Sequence, residues 1–294
     1  MSAPAGLLRV PAEWDKRRDQ IRRSEQRYRR QFASERAAAE ILVLSFPKAG
    51  RTWHRLLLGH YLTQLCGVPE SHALNLSELC ARAKIRPVVY SHNGANFLDG
   101  LPPSSPVIAC PSLWRDRHVL LLVRDPRDIV VSAYHHAAFR SRSFAGTLSA
   151  FVRDPHFGIE KILTAFNRWH GNRHLASSFT ALSYEAMHAD PHRVLAATLD
   201  VLGVSPIDRR LAARSVVFCA FENMQKYEKA DFFDSPRLSN ATGDARASKV
   251  RSGRVGAFPD HLAEDDLRWI DDCSRRLGDP FRELYSPAAP AGAA

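Results

Sequence analysis

Ile41-Leu42-Val43-Leu44-Ser45-Phe46-Pro47-Lys48-Ala49-Gly50-Arg51-Thr52-Trp53-His54-Arg55-Leu56-Leu57-Leu58 is the stretch around which the rest of the chain is read. Ile41 to Phe46 is a β-branched and aliphatic run. Pro47 and Gly50 interrupt it, and Trp53, Leu56, Leu57, His60 and Tyr61 then recur at helical spacing. The pattern predicts strand, tight turn and helix. Such a turn aims the free N–H groups of the first helical turn, and the positive end of the helix dipole, at whatever lies beyond the strand's carboxyl end, a place suited to an anion. Lys48 adds a mobile charge, Gly50 permits close backbone approach, and Thr52 brings a hydroxyl to the helix start. An ordinary strand-to-helix turn with a surface lysine would look the same. The stretch is not a Walker A sequence, because its lysine precedes its glycine.

The 294 residues, 45% of them hydrophobic, suffice for one large α/β domain: a single P-loop-like domain with a central parallel β-sheet flanked by helices. A net charge of +10 favours anionic ligands, although nucleic acid or a membrane surface would also suit it. The five cysteines are scattered and form no C-x-x-C pair, so they read as reduced, buried thiols rather than a zinc site or disulfide framework. No apolar run is long enough for a membrane span and no secretory leader is recognisable, which points to a cytoplasmic protein. Three segments are expected: a basic helical extension over 1–40, the main domain over 41–285 and a flexible tail over 286–294. In the first, Trp14, Ile21, Tyr28 and Phe32 form one narrow apolar stripe, suited to packing on the main domain. Basic and acidic residues interleave there, which argues against a nucleic-acid arm.

Further along, Arg86 to Ser91 reads as a short strand ending on His92, where open α/β sheets collect ligands; His92 is a general base or a histidine capping a turn. Gly94 to Arg117, rich in Pro, Ser and Gly, reads as a surface loop. His118 to Val123 is a continuous apolar run, as in a strand buried on both faces. It runs into Arg124-Asp125-Pro126-Arg127-Asp128, with Asp125 a candidate N-cap and Pro126 at the first helical position. Arg124 and Ser132 thus form a second candidate anion site, unless Arg124 only pairs with an aspartate at the helix start. Phe179 to Tyr184 is the last strand, and Ile207 to Tyr227 reads as one amphipathic helix. Glu228 to Phe258 is long and aperiodic, as in a functional lid.

Phe46-Pro47-Lys48-Ala49-Gly50-Arg51-Thr52-Trp53 resembles the 5′-phosphosulfate loop of sulfotransferases of the cytosolic, aryl type, which use 3′-phosphoadenosine 5′-phosphosulfate (PAPS) and typically read Tyr-Pro-Lys-Ser-Gly-Thr-Thr-Trp. Arg124 to Tyr134 follows the same family's 3′-phosphate string nearly residue for residue, and both strings occur in the family's order. Ser91-His92-Asn93 matches one context of the family's catalytic histidine. The resemblance covers roughly Ile41 to Leu277. It implies sulfonate transfer from PAPS to a hydroxyl, or an amine, of a small-molecule acceptor, with 3′,5′-adenosine bisphosphate (PAP) as product. It assigns catalysis to His92 and Lys48. Donor binding falls to Lys48, Ala49, Gly50, Arg51, Thr52 and Trp53, to Arg124 and Ser132, to Tyr184 and Phe221 at the adenine, and to Arg251, Ser252 and Gly253 over the 3′-phosphate. Five positions depart from the family: Ala49 for Ser, Arg51 for Thr, Ser252 for Lys, Phe258 for Trp and Tyr90 for a lysine two before the histidine. Arg254 is a candidate to replace the lost charge at Ser252.

No metal is implied, because the cationic groups can carry the developing charge without a carboxylate cluster. Neither a nucleic-acid nor a membrane partner is expected, and the oligomeric state is open between monomer and homodimer. Phe97, Phe139, Phe144, Phe151 and Phe157 fit an apolar acceptor pocket or the core equally well. A nucleotide kinase remains a rival reading and would require Mg²⁺; so do a non-catalytic PAPS-binding protein and, more weakly, a nucleic-acid binder with steep salt dependence.

Overall fold

The computed structural model describes residues 12–240 and 242–286. Residues 1–11 of the expected basic extension and residues 287–294 of the expected tail lie outside the described residues, as does the side chain of Trp14. In chain order the elements are α1 (Ala12–Ala38), β1 (Ile41–Ser45), α2 (Arg51–Cys66), α3 (Leu76–Ala83), β2 (Val88–Ser91), β3 (His118–Val123), α4 (Pro126–His135), α5 (Leu148–Arg153), α6 (Ile159–Asn172), β4 (Ser178–Ser183), α7 (Tyr184–Ala189), α8 (Pro191–Val201), α9 (Arg209–Phe218), α10 (Phe221–Ala230) and α11 (Glu264–Leu277).

The four strands form one parallel sheet in the order β2-β1-β3-β4. The continuous apolar runs of β1 and β3 explain their central places, since helices cover both faces. Leu42, Leu44, Val119, Leu121 and Val123 face one core, and Ile41, Val43, Leu120 and Leu122 face the other. Each such side chain, fully withdrawn from water, contributes roughly 1.5 to 3 kcal/mol. Tyr28 and Phe32 of α1 join the first core and Ile21 packs against it, as the narrow stripe predicts.

Parallel pairing brings every strand's carboxyl end to the same edge. Leu44 pairs with Ser91, which sets His92 beside Ser45; Val123 pairs with Ser183, which sets Arg124 beside Tyr184.

Two expectations need correction, and one open alternative is decided. Gly94 to Arg117 is not a surface loop: Ala95, Phe97, Leu101, Val107, Ile108, Leu113 and Trp114 are all buried in the first core. Their spacing has no period because the chain here is irregular, so periodicity gave no warning of burial. Ile207 to Tyr227 is two helices, broken at Ala220, whose backbone is extended (φ −57°, ψ 147°). An unbroken helix turns about 100° per residue; the break lets the consecutive residues Cys219, Ala220 and Phe221 line one cavity wall. The phenylalanines gather mainly on each other: Phe151 lies 5.0 Å from Phe144, 5.4 Å from Phe157 and 6.4 Å from Phe97, ring centre to ring centre. Of the five only Phe97 reaches the cavity described below. Among the cysteines, Cys80, Cys219 and Cys273 are buried, Cys66 and Cys110 half-buried, and all five are free thiols.

Candidate active site

The loop after β1 is shaped by two left-handed residues, Lys48 (φ 77°) and Gly50 (φ 88°). A β-carbon on Gly50 would lie 2.6 Å from the Tyr184 ring and 2.9 Å from the Met187 methyl. Glycine is therefore required for α2 to begin against α7. Lys48 holds the same kind of backbone without that freedom, a local strain found where function fixes a side chain. The first-turn amides of α2 have no intrahelical partner and point past the strand end. Ala49 differs from its neighbours: its side chain is fully buried and its amide donates to the Phe46 carbonyl (3.3 Å), so it does not reach the cavity.

That cavity, about 560 Å³, opens at the carboxyl edge of the sheet. It is lined by Lys48, Gly50, Arg51, Thr52, Trp53, His92, Arg124, Ser132, Tyr184, Phe221, Arg251, Ser252 and Gly253, so every candidate residue except Ala49 meets there.

Arg124, at the end of β3, is nearly buried. Its Nη2 donates to Asp128 Oδ2 (3.2 Å) and to the Arg254 carbonyl (3.0 Å), and its guanidinium lies 4.2 Å from the centre of the Tyr184 ring. Its Nε is buried with no partner, a donor left over for something else. Asp128 in turn accepts from the amides of Gly256 (2.9 Å) and Phe258 (3.0 Å), so one buried carboxylate ties the β3 end, α4 and the C-terminal loop together. Glu228 of α10 does similar work on the lid, accepting from the amides of Lys249 (2.7 Å) and Val250 (2.9 Å) and from the Ser248 hydroxyl. The Tyr184 hydroxyl donates to the Gly253 carbonyl (3.2 Å). Thus held, the loop presents Arg251, whose guanidinium makes no hydrogen bond or ion pair with any other described residue. Arg254 does not fill the place of the missing lysine: it is exposed and pairs with Asp260 (2.8 Å).

His92 follows β2 on a turn whose next residue, Asn93, is left-handed (φ 46°) and buried. The Asn93 side chain donates to the Cys110 carbonyl (3.1 Å) and accepts from the Trp169 indole (3.1 Å), which pins the turn. His92 Nδ1 lies 2.8 Å from the Ser45 carbonyl. A carbonyl only accepts, so Nδ1 carries the proton and Nε2 carries the lone pair. Burial, then the charge of Arg51, pushes the imidazole pKa well below its usual value, so the ring is neutral and basic at Nε2. Burial, then Arg140 and Arg124, lowers Lys48 to about 8.

A family profile for the sulfotransferase domain matches residues 38–281. The chain belongs to the sulfotransferase domain family. Its fold is that of solved sulfotransferase structures with PAP bound. Retinol dehydratase in complex with androsterone and the inactive cofactor PAP is 16% identical, covers 89% of this chain and 88% of its own, and has a TM-score of 0.54. The mouse sulfotransferase SULT7A1 complexed with PAP is 18% identical, covers 85% and 89%, and also has a TM-score of 0.54. No curated protein sequence matches significantly.

The structure adds groups to this cavity that sequence reading missed. Asn96, Asp128, His136, His188, Lys249 and His261 all line the cavity. Asp128 had a visible signal, since an acid four residues after Arg124 at a helix start can reach it. Lys249 and Glu228 had none, because their neighbours lie far away in sequence. Among the described residues no helix is long and apolar enough to cross a membrane.

Proposed function

We propose that this sulfotransferase takes its sulfonate from PAPS and passes it to an acceptor hydroxyl or amine, with His92 as general base. The observation that carries this reading is the pair of cationic cradles, one on Lys48 and the α2 amides and the other on Arg124, Ser132 and Arg251, which line one cavity. Two separate phosphate-sized sites suit a nucleotide with phosphates on two positions. The orphaned Arg124 Nε and the free Arg251 guanidinium fit an absent anion. When bound, PAPS supplies the sulfonate and a good leaving group on its 5′-phosphate. Lys48 and the α2 amides place positive charge where that phosphate oxygen gains negative charge. Arg124, Ser132 and Arg251 hold the 3′-phosphate. Nε2 of His92 takes the acceptor proton.

Calorimetry with PAP and with 5′-AMP, which lacks the 3′-phosphate, tests the reading. PAP should bind on the order of a hundredfold more tightly, the worth of about two charge-assisted hydrogen bonds. Equal affinities for the two nucleotides would refute it.

The adenine end is testable separately. Gly253 is left-handed (φ 62°), and a β-carbon there would lie 2.3 Å from two atoms of the Phe221 ring. If Phe221 stacks on adenine, Gly253→Ala displaces that ring and weakens PAP binding by about tenfold, within the range of one base–aromatic stack. Unchanged PAP affinity in this variant would remove Phe221 from the adenine site.

A further inference from the structure

A second cavity, about 360 Å³, is lined by residues of α1, α2 and the end of β2 and adjoins the first at His92. Arg51, His92 and Asn96 line both cavities, so the two meet at the imidazole. Asp99 is the one carboxylate among the described residues that line the second cavity, and it is engaged by the Tyr28 hydroxyl and by Arg27 Nη2 (2.6 Å). Arg51, Arg55 and Arg237 also line it, and none of their guanidinium groups makes a hydrogen bond or ion pair with any other described residue. Arg55 lies 4.4 Å from the centre of the Tyr90 ring. Glu35 acts on Arg51 only at a distance; its Oε1 accepts from Gln31, and its buried Oε2 has no hydrogen-bond partner among the described residues.

Arg51 and Arg55 are four residues apart on α2 and therefore share a helix face, where like charges repel. Burial and the neighbouring Arg55 push the Arg51 pKa down, a mark of uncompensated charge. Three guanidinium groups crowded at one cavity and left without partners cost free energy that a bound anion would return.

We propose that the second cavity is the acceptor site and that it recognises an anionic group, so that the enzyme sulfonates hydroxyl compounds that also carry a carboxylate, phosphate or sulfate. Arg51, Arg55 and Arg237 hold the anion, and the hydroxyl reaches His92. This rests on the sulfonate-transfer reading above. The acceptor O–H gives its proton to Nε2 as its oxygen bonds to sulfur, and the bond from sulfur to the nucleotide phosphate breaks with its electron pair left on the phosphate oxygen. The phenylalanine cluster is core, so it does not make this site apolar.

The test is calorimetry on PAP-saturated protein with matched probes: 4-hydroxyphenylacetate and its amide, glucuronate and glucose, glycerol 3-phosphate and glycerol, glucose 6-sulfate and glucose. The charged member of at least one pair should bind at least about tenfold more tightly than the neutral one. Arg55→Gln and Arg237→Gln, which alter residues outside the nucleotide cavity, should each cut that preference severalfold and leave PAP affinity unchanged. The inference is overturned if no charged probe binds, if charged and neutral members bind alike in every pair, or if the preference survives both substitutions. Failure of PAP itself to bind would instead sink the donor reading, so the two failures are told apart in one titration series.

Discussion

Replacing His92 with alanine is expected to lower kcat by roughly 10²- to 10⁴-fold, the usual contribution of a positioned general base, while PAP affinity stays near that of the unaltered protein. The expectation follows from one hydrogen bond. With Nδ1 committed to the Ser45 carbonyl, only Nε2 can take a proton, and His92 lines both cavities. His92→Gln keeps a polar group of similar reach but no basic nitrogen, so it should be as slow as the alanine variant.

The pH profile offers an independent check. Because burial and Arg51 hold the His92 pKa well below 6.5, the base form persists through the neutral range and is lost only as pH falls through that depressed value. The acid limb of kcat/KM should therefore lie below pH 6.5. Lys48 is protonated below about 8, so its electrostatic help fades as pH rises through that value and sets an alkaline limb near pH 8. Near-normal turnover in His92→Ala, or an acid limb at or above 6.5, would remove His92 from the base role.

Asp128→Ala should destabilise the fold by about 3 to 5 kcal/mol, the cost of removing one member of a buried ion pair. Both Arg124 and Asp128 are nearly buried, and the carboxylate also satisfies the amides of Gly256 and Phe258. Its loss leaves the nearly buried guanidinium without its carboxylate partner, and the part-buried Gly256 and Phe258 amides without an acceptor. At about 2 °C per kcal/mol for a chain of this length, Tm should fall by roughly 6 to 10 °C. PAP binding should weaken as well, because Arg124 and the loop that carries Arg251 both lose their anchor. Asp128→Asn keeps an acceptor oxygen and should recover part of both losses. A thermal melt within 2 °C or so of the unaltered protein would show that the carboxylate is not the clasp described here.

Much of this site was legible in the sequence because its parts are local. Pro47, Gly50 and the apolar run before them specify a strand-to-helix turn within ten residues or so. Asp125 and Pro126 cap α4 through contacts no farther than Arg127, whose amide donates to Asp125 (2.9 Å). The two helices inside Ile207 to Tyr227 were not legible, since apolar spacing continues across a break set by one extended residue, Ala220.

Sequence by itself determined the central strands, the loops that carry Lys48 and Arg124 and the histidine at a strand end, because chain-local patterns of burial, turn chemistry and charge encode them. Only the tertiary structure decided which of the many cations are neutralised. Arg124 is met by Asp128 and Arg254 by Asp260, whereas Arg51, Arg55, Arg237 and Arg251 line cavities with no carboxylate partner among the described residues. It also decided that Phe97, Phe144, Phe151 and Phe157 join the first core, and that Phe139 does not. The physical reason is that neutralisation and burial depend on which distant segments meet, and the spacing of residues along a chain does not record that.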